Sequence, residues 1–159
     1  MASTWVAYND LAWTEDLLAD PAEYENEVSV YVDLIKSTAK EPPRTLLHLG
    51  CGAGGHDHIF KRHFTVTGID LSLGMLNKAR AAHPEIEYLE DDMRTFRLNR
   101  QFDAVAISDS IDYMVSLNDL KQAIQTAVKH LKIGGVLLVV GHGTAIFQNN
   151  NFVCTGQKH

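Results

Sequence analysis

A five-residue apolar run, Thr45-Leu46-Leu47-His48-Leu49, breaks into Gly50-Cys51-Gly52-Ala53-Gly54-Gly55, and an acid follows at Asp70. Few folds accommodate that order. The run is too short for a typical helix and, bounded by glycines, suits a buried parallel strand. Glycines between a strand and a helix let the backbone approach a ligand with no Cβ in the way. Asp70 lies twenty residues beyond Gly50, where the second strand of a βαβ unit delivers an acid to a ribose hydroxyl. The loop parses in two ways. Gly50, Gly52 and Gly55 fit the dinucleotide fingerprint G-x-G-x-x-G, whereas Gly50, Gly52 and Gly54 fit G-x-G-x-G; the loop alone does not choose the ligand.

The rest of the chain repeats the strand–helix alternation. Asp20, Pro21 and Glu23 supply an N-cap, a first-turn proline and a capping-box partner. Tyr24, Val28, Tyr31 and Ile35 follow at helical spacing, which predicts a helix from about Pro21 to Ala39, ahead of Pro42-Pro43. A short helix is expected over His56–Arg62 and a second strand over Thr65–Ile69. Ser72 caps a helix bearing Leu73, Leu76 and Ala79. Strands are expected at Ile86–Leu89 and Phe102–Ser108. Leu117, Leu120, Ile124, Val128 and Leu131 mark an amphipathic helix stopped by Gly134-Gly135, and Val136–Val140 is the fifth strand. Right-handed crossovers then give an α/β, doubly wound, mostly parallel Rossmann-like sheet of order 3-2-1-4-5, with helices on both faces. Ligands bind beyond the carboxyl ends of such strands, at the switch between strands one and four. The chain reads as one domain over 1–159: a lead-in and helix at 1–43, a cofactor-binding core at 44–141 and a short tail at 142–159.

Composition narrows the function. The net charge is −6 and no run of Lys or Arg occurs, so a nucleic-acid partner is not expected. No apolar stretch approaches membrane-spanning length and the N-terminus lacks a secretory pattern, so a cytoplasmic protein without a membrane partner is expected. The two cysteines, Cys51 and Cys154, read as free thiols. His48, His56, His58 and His63 match no compact ligand set, and no metal is expected.

Leu46-Leu47-His48-Leu49-Gly50-Cys51-Gly52-Ala53-Gly54 resembles the first motif of class I S-adenosylmethionine-dependent methyltransferases. The resemblance continues through Gly68-Ile69-Asp70-Leu71-Ser72 with Met75-Leu76, through Asp91-Asp92-Met93, and through Phe102-Asp103-Ala104-Val105. It ends in Leu131-Lys132-Ile133-Gly134-Gly135-Val136-Leu137, so it covers about Leu46 to Val140 in the family's order. It implies that Gly50, Cys51 and Gly52 present backbone groups to the methionine part of S-adenosylmethionine. Asp70 would accept from both ribose hydroxyls, Asp92 would hold the adenine amino group, and the Met93 amide would meet a ring nitrogen. Leu71 and Met75 would line the adenine face, and Ser108, with Asp109, would lie near the sulfonium. The cofactor's charge agrees: it carries a sulfonium and an ammonium and no phosphate. A crevice holding Asp70, Asp91, Asp92, Asp109 and Asp112 suits it better than it suits the pyrophosphate of NAD.

The sequence departs from the family in two places. His48 stands where members commonly have an acid that helps hold the cofactor's amino group, and it reads either as a ligand contact or as a core histidine. Only Gly141 to His159 follow strand five, where members usually add two strands and a lid, so the chain reads as a truncated or minimal member. Phe147–Thr155 is similar to the start of a lid sheet in methyltransferases of small amines and amino sugars. The edge of strand five should be shielded by this tail or by a second copy in a homodimer.

These expectations combine into methyl transfer from S-adenosylmethionine to a small-molecule acceptor, an amine being favoured, with S-adenosylhomocysteine as product. The sulfonium is already activated, so alignment does most of the work. Asp109, Asp112, Tyr113 and His142 are candidates for a base, and the sequence ranks none. The alternatives are a cofactor-binding module without its acceptor half and an NAD-dependent oxidoreductase fragment.

Overall fold

A computed structural model of the chain describes residues 21–142. The expected capping box (Asp20, Glu23), Cys154 and the lid-like segment Phe147–Thr155 lie outside what can be described. Helix α1 (Pro21–Thr38) ends before Pro42-Pro43 and leads into β1 (Thr45–Leu49). A short helix, α2 (Asp57–Phe60), then precedes β2 (Thr65–Asp70). Helix α3 (Leu73–Ala82), β3 (Glu87–Glu90), β4 (Phe102–Ser108), a 3-10 turn (Ser110–Tyr113), α4 (Leu117–Lys129) and β5 (Leu131–Val140) complete the order.

The five strands run parallel in the expected order β3-β2-β1-β4-β5. β1 is central: Leu49 pairs with Ile69 of β2, and His48 lies opposite Ala106 of β4. Because strand side chains alternate faces, β1 feeds two cores. Leu46 packs with Val28, Val32, Ile35 and Phe60 under α1 and α2. Leu47 and Leu49 pack with Val105, Ile107, Ala123 and Ala127 under α4. Parity places His48 and Ser108 on the Leu46 side, facing α2.

The C-terminal helix corrects one expectation. α4 ends at Lys129, and Leu131 opens β5 instead of closing the helix. Leu117 and Val128 are exposed; the buried face is made of Ala123, Thr126 and Ala127. His130 ends the helix, its Nδ1 2.8 Å from the Thr126 carbonyl and its Nε2 accepting from the Leu98 amide at 2.9 Å. Ile124 packs against the core beside these small residues, so the apolar periodicity found one edge of the buried face and missed its centre. A register shift between Phe102 and Ala104 accommodates the longer β5.

Asp103 ties the lower end of the sheet. Burial opposes its ionisation, but Lys132 and the Arg44 and Thr45 amides hold its carboxyl well below the usual range. No helix among the described residues is long and apolar enough to cross a membrane.

Candidate functional site

The carboxyl ends of β1, β2 and β4 converge on the glycine loop. The turn closes on the Ile69 carbonyl, which accepts from the amides of Gly50 (2.7 Å) and Cys51 (3.1 Å). Those two amides therefore fix the loop and are not aimed outward. Gly50 has φ 70°, and a Cβ there would overlap the side chain of Ser110. Gly52 also has positive φ, but a Cβ there would meet nothing within 4 Å. That position faces open space.

Asp70 joins the loop to the next helix. Its Oδ2 accepts from the Gly52 amide and its Oδ1 from the Ser72 amide, both at 2.8 Å. Each oxygen keeps a second lone pair for an outside donor. Ser72 caps α3 by accepting from the Met75 amide at 3.2 Å. Met75 is buried against the core while Leu71 is largely exposed, so only Leu71 stands at the surface of the crevice.

After β3, Asp92 is bound on both oxygens by Arg94, whose other end reaches Asp119 at 2.9 Å. The guanidinium holds the Asp92 carboxyl below its ordinary value. Asp91 is exposed and accepts from the Asp92 amide. Met93 lies partly buried against the α4-side core, its methyl beside Gly50.

The structure settles where His48 points. It is 2% exposed, with Nδ1 2.7 Å from Asp57 Oδ1 and Nε2 2.8 Å from Ser108 Oγ. The acid absent from β1 thus stands behind it on α2, where Asp57 is fully buried and also accepts from the Tyr88 hydroxyl at 2.9 Å. Ser108 takes a further contact of 2.9 Å from His56 Nδ1. Tyr88, Asp57, His48, Ser108 and His56 form one buried chain, and no buried side-chain polar atom among the described residues lacks a partner. Burial, reinforced by Asp57, pushes the Tyr88 hydroxyl far above its usual range. Burial, with His48 beside it, pushes His56 down to about 4. Cys51, buried next to Asp57 and Asp70, has its thiol pushed up and is unreactive by the same argument.

Sequence reasoning singled out Ser108 and Asp109 but missed Asp57, Tyr88 and Glu27. Each reads as an ordinary surface position in its own helix or strand. Only the packing of α1 and α2 over β1 and β4 brings them together. Asp112 and His142, both named as candidate bases, pair with each other at 2.6 Å beside β5, and that bond raises His142. Tyr113 is half exposed.

A methyltransferase-domain family model matches residues 46–135. The chain belongs to that family.

This methyltransferase domain is 36% identical over 119 residues to dTDP-3-amino-3,4,6-trideoxy-alpha-D-glucopyranose N,N-dimethyltransferase of Streptomyces venezuelae. The match covers 74% of this chain and 50% of that protein. Among solved structures, DesVI of Streptomyces venezuelae superposes with a TM-score of 0.72 at 35% identity, over 76% of this chain and 51% of that one. SAM-bound CalS10, an amino pentose methyltransferase from Micromonospora echinaspora, gives 0.72 at 30% identity over the same shares. The chain spans about half the length of these relatives.

Proposed function

We propose that the domain binds S-adenosylmethionine in the crevice above β1, β2 and β4 and serves methyl transfer to the amino group of a small molecule, an amino sugar being the favoured class. The observation that carries this reading is the pairing of the open Gly52 position with Asp70, at the switch point of a sheet shared with the SAM-bound relative. When bound, the cofactor supplies an activated methyl group. The chain's own residues hold and orient it. Asp70 takes the ribose hydroxyls on its outer lone pairs in this reading, supported by its anchoring on the Gly52 and Ser72 amides, and Leu71 covers the adenine side. Asp92 and Met93, after β3, stand at the adenine end, with Arg94 keeping the Asp92 carboxylate charged and fixed. Gly50 and Cys51 shape the loop, Met75 supports it from the core, and Ser108 orients the methionine end through His56. The sugar N,N-dimethyltransferases among its relatives support an amine acceptor.

The outer side of the sheet supports a second part of this reading. Ile133 and Val139 are exposed on β5, the edge strand of the described sheet. Such an edge requires cover, which we assign to a second copy of the chain.

Parallel calorimetric titrations with S-adenosylmethionine, S-adenosylhomocysteine and NAD test the cofactor. Binding of both sulfur ligands without an NAD signal is expected, and Asp70→Ala should weaken them about ten-fold or more, as loss of bonds to a charged group predicts. NAD binding, or unchanged affinity in that variant, would overturn the site.

A further inference from the structure

The glycine loop is also held from outside the crevice, by a histidine that the cofactor reading leaves unused. The ring of His83, just past the end of α3, is buried, and its Nε2 stands 3.0 Å from the Gly54 carbonyl oxygen. A carbonyl only accepts, so Nε2 carries a proton and donates, whether the ring is neutral or charged. Nδ1 faces Lys61 Nζ at 3.1 Å, and Lys61 donates to Glu85 at 2.6 Å. Both ring nitrogens meet polar partners, which sets the orientation of the ring.

Ending α3 does not require this side chain. The His83 backbone closes the helix: its amide donates to the Ala79 carbonyl at 2.8 Å, and its carbonyl accepts from the Ile86 amide at 3.1 Å. A histidine serving its own helix end would bond the last carbonyls of that helix. His83 reaches instead to the loop after β1. There Gly54 donates its amide to the Cys51 carbonyl at 3.0 Å, closing a four-residue turn with Gly52 and Ala53 in its middle. The Gly54 carbonyl accepts from the His58 amide at 3.2 Å as well as from His83. The His58 donor follows the loop directly in the chain and moves with it, whereas His83 brings a donor from a separate element. Gly54 has φ 83°, and a Cβ there would come within 2.9 Å of the Tyr88 hydroxyl and 3.0 Å of the His83 ring. The turn is thus pressed against α3 and β3 at Gly54, while Gly52 faces open space and gives its amide to Asp70.

We infer that His83 is a positioning residue for cofactor binding: through the Gly54 carbonyl it holds the turn that keeps Gly52 on Asp70. Gly52 is tied to Asp70 before α3 and Gly54 to His83 after it, so that one helix brackets the turn. The consequence for the cofactor rests on the proposed crevice, but the clamp itself stands on these bonds.

Three substitutions in the full chain separate the donor from its bulk. His83→Gln keeps a side-chain N–H within reach of Gly54, and His83→Leu fills the space without one. Should His83→Leu not fold, His83→Asn, one methylene too short to reach Gly54, carries the same expectations. The readouts are amide hydrogen exchange without ligand and calorimetry with S-adenosylhomocysteine. Loss of the donor should speed exchange at the Gly52 and Gly54 amides about five-fold or more, as one hydrogen bond predicts, and weaken S-adenosylhomocysteine by a similar factor. The Leu47 and Leu49 amides of β1 should exchange as in the parent protein. His83→Gln should restore loop exchange and affinity to within about two-fold. Parent-like exchange at Gly52 and Gly54 without the donor, acceleration shared by Leu47 and Leu49, unchanged affinity, or an equal loss in His83→Gln overturns the inference. A parent protein that does not bind S-adenosylhomocysteine refutes the cofactor reading alone; exchange at Gly52 and Gly54 still decides the clamp.

Discussion

Removing Asp57 should cost this domain a large part of its stability although the residue never reaches the surface. Asp57→Ala deletes the acceptor of two buried donors, His48 Nδ1 at 2.7 Å and the Tyr88 hydroxyl at 2.9 Å. Bonds to a charged group contribute about 1.5–3 kcal/mol each, so the pair gives about 3–6 kcal/mol. Total stabilities run at about 5–15 kcal/mol, so the variant sits near its unfolding threshold. Urea unfolding followed by circular dichroism provides the assay. With a slope of about 2 kcal/mol per molar, the midpoint should fall by about 2 M. Tyr88→Phe removes one donor only and should cost about 1.5 kcal/mol. Combined with Asp57→Ala it should add almost nothing, because the hydroxyl has already lost its partner. A loss under about 1 kcal/mol for Asp57→Ala, or full additivity of the two changes, would refute the claim that these residues act as one chain.

Two further outcomes follow from the same geometry. His56 is pushed down to about 4 by burial, below its unfolded value, so its contribution is present above pH ~6.5 and lost as pH falls through about 4. The shift corresponds to about 3 kcal/mol over that window, and His56→Gln should flatten the pH dependence of the urea midpoint there; an unchanged profile would show that His56 is not the group responsible. Gly50→Ala forces a Cβ into the left-handed region and into Ser110, which should cost about 3 kcal/mol from strain and overlap together; a loss below about 1 kcal/mol in thermal unfolding would show that the loop relaxes around the new methyl.

The sequence by itself determined the sheet. Short apolar runs ended by glycine or an acid, separated by capped helices, leave little choice but a parallel sheet with crossovers. The observed order β3-β2-β1-β4-β5 is the one read from that pattern. Gly50, Gly52 and Asp70 were legible for the same reason: turn chemistry and the reach of a βαβ unit are local properties. The buried stripe of α4 was legible only at Ile124, because Ala123 and Ala127 gain their place from how near the helix lies to the sheet, and no periodicity of large residues records that distance. His48 was legible only as an anomaly. Its alternatives, ligand contact or core, were separated by Asp57, nine residues on, and Ser108, sixty residues on. Tertiary structure alone decided this, because a hydrogen bond depends on atoms meeting within about 3 Å and sequence spacing across a crossover does not encode that meeting. His83 and Gly54 meet for the same reason: they belong to separate elements, and only the packed sheet brings the ring to the carbonyl.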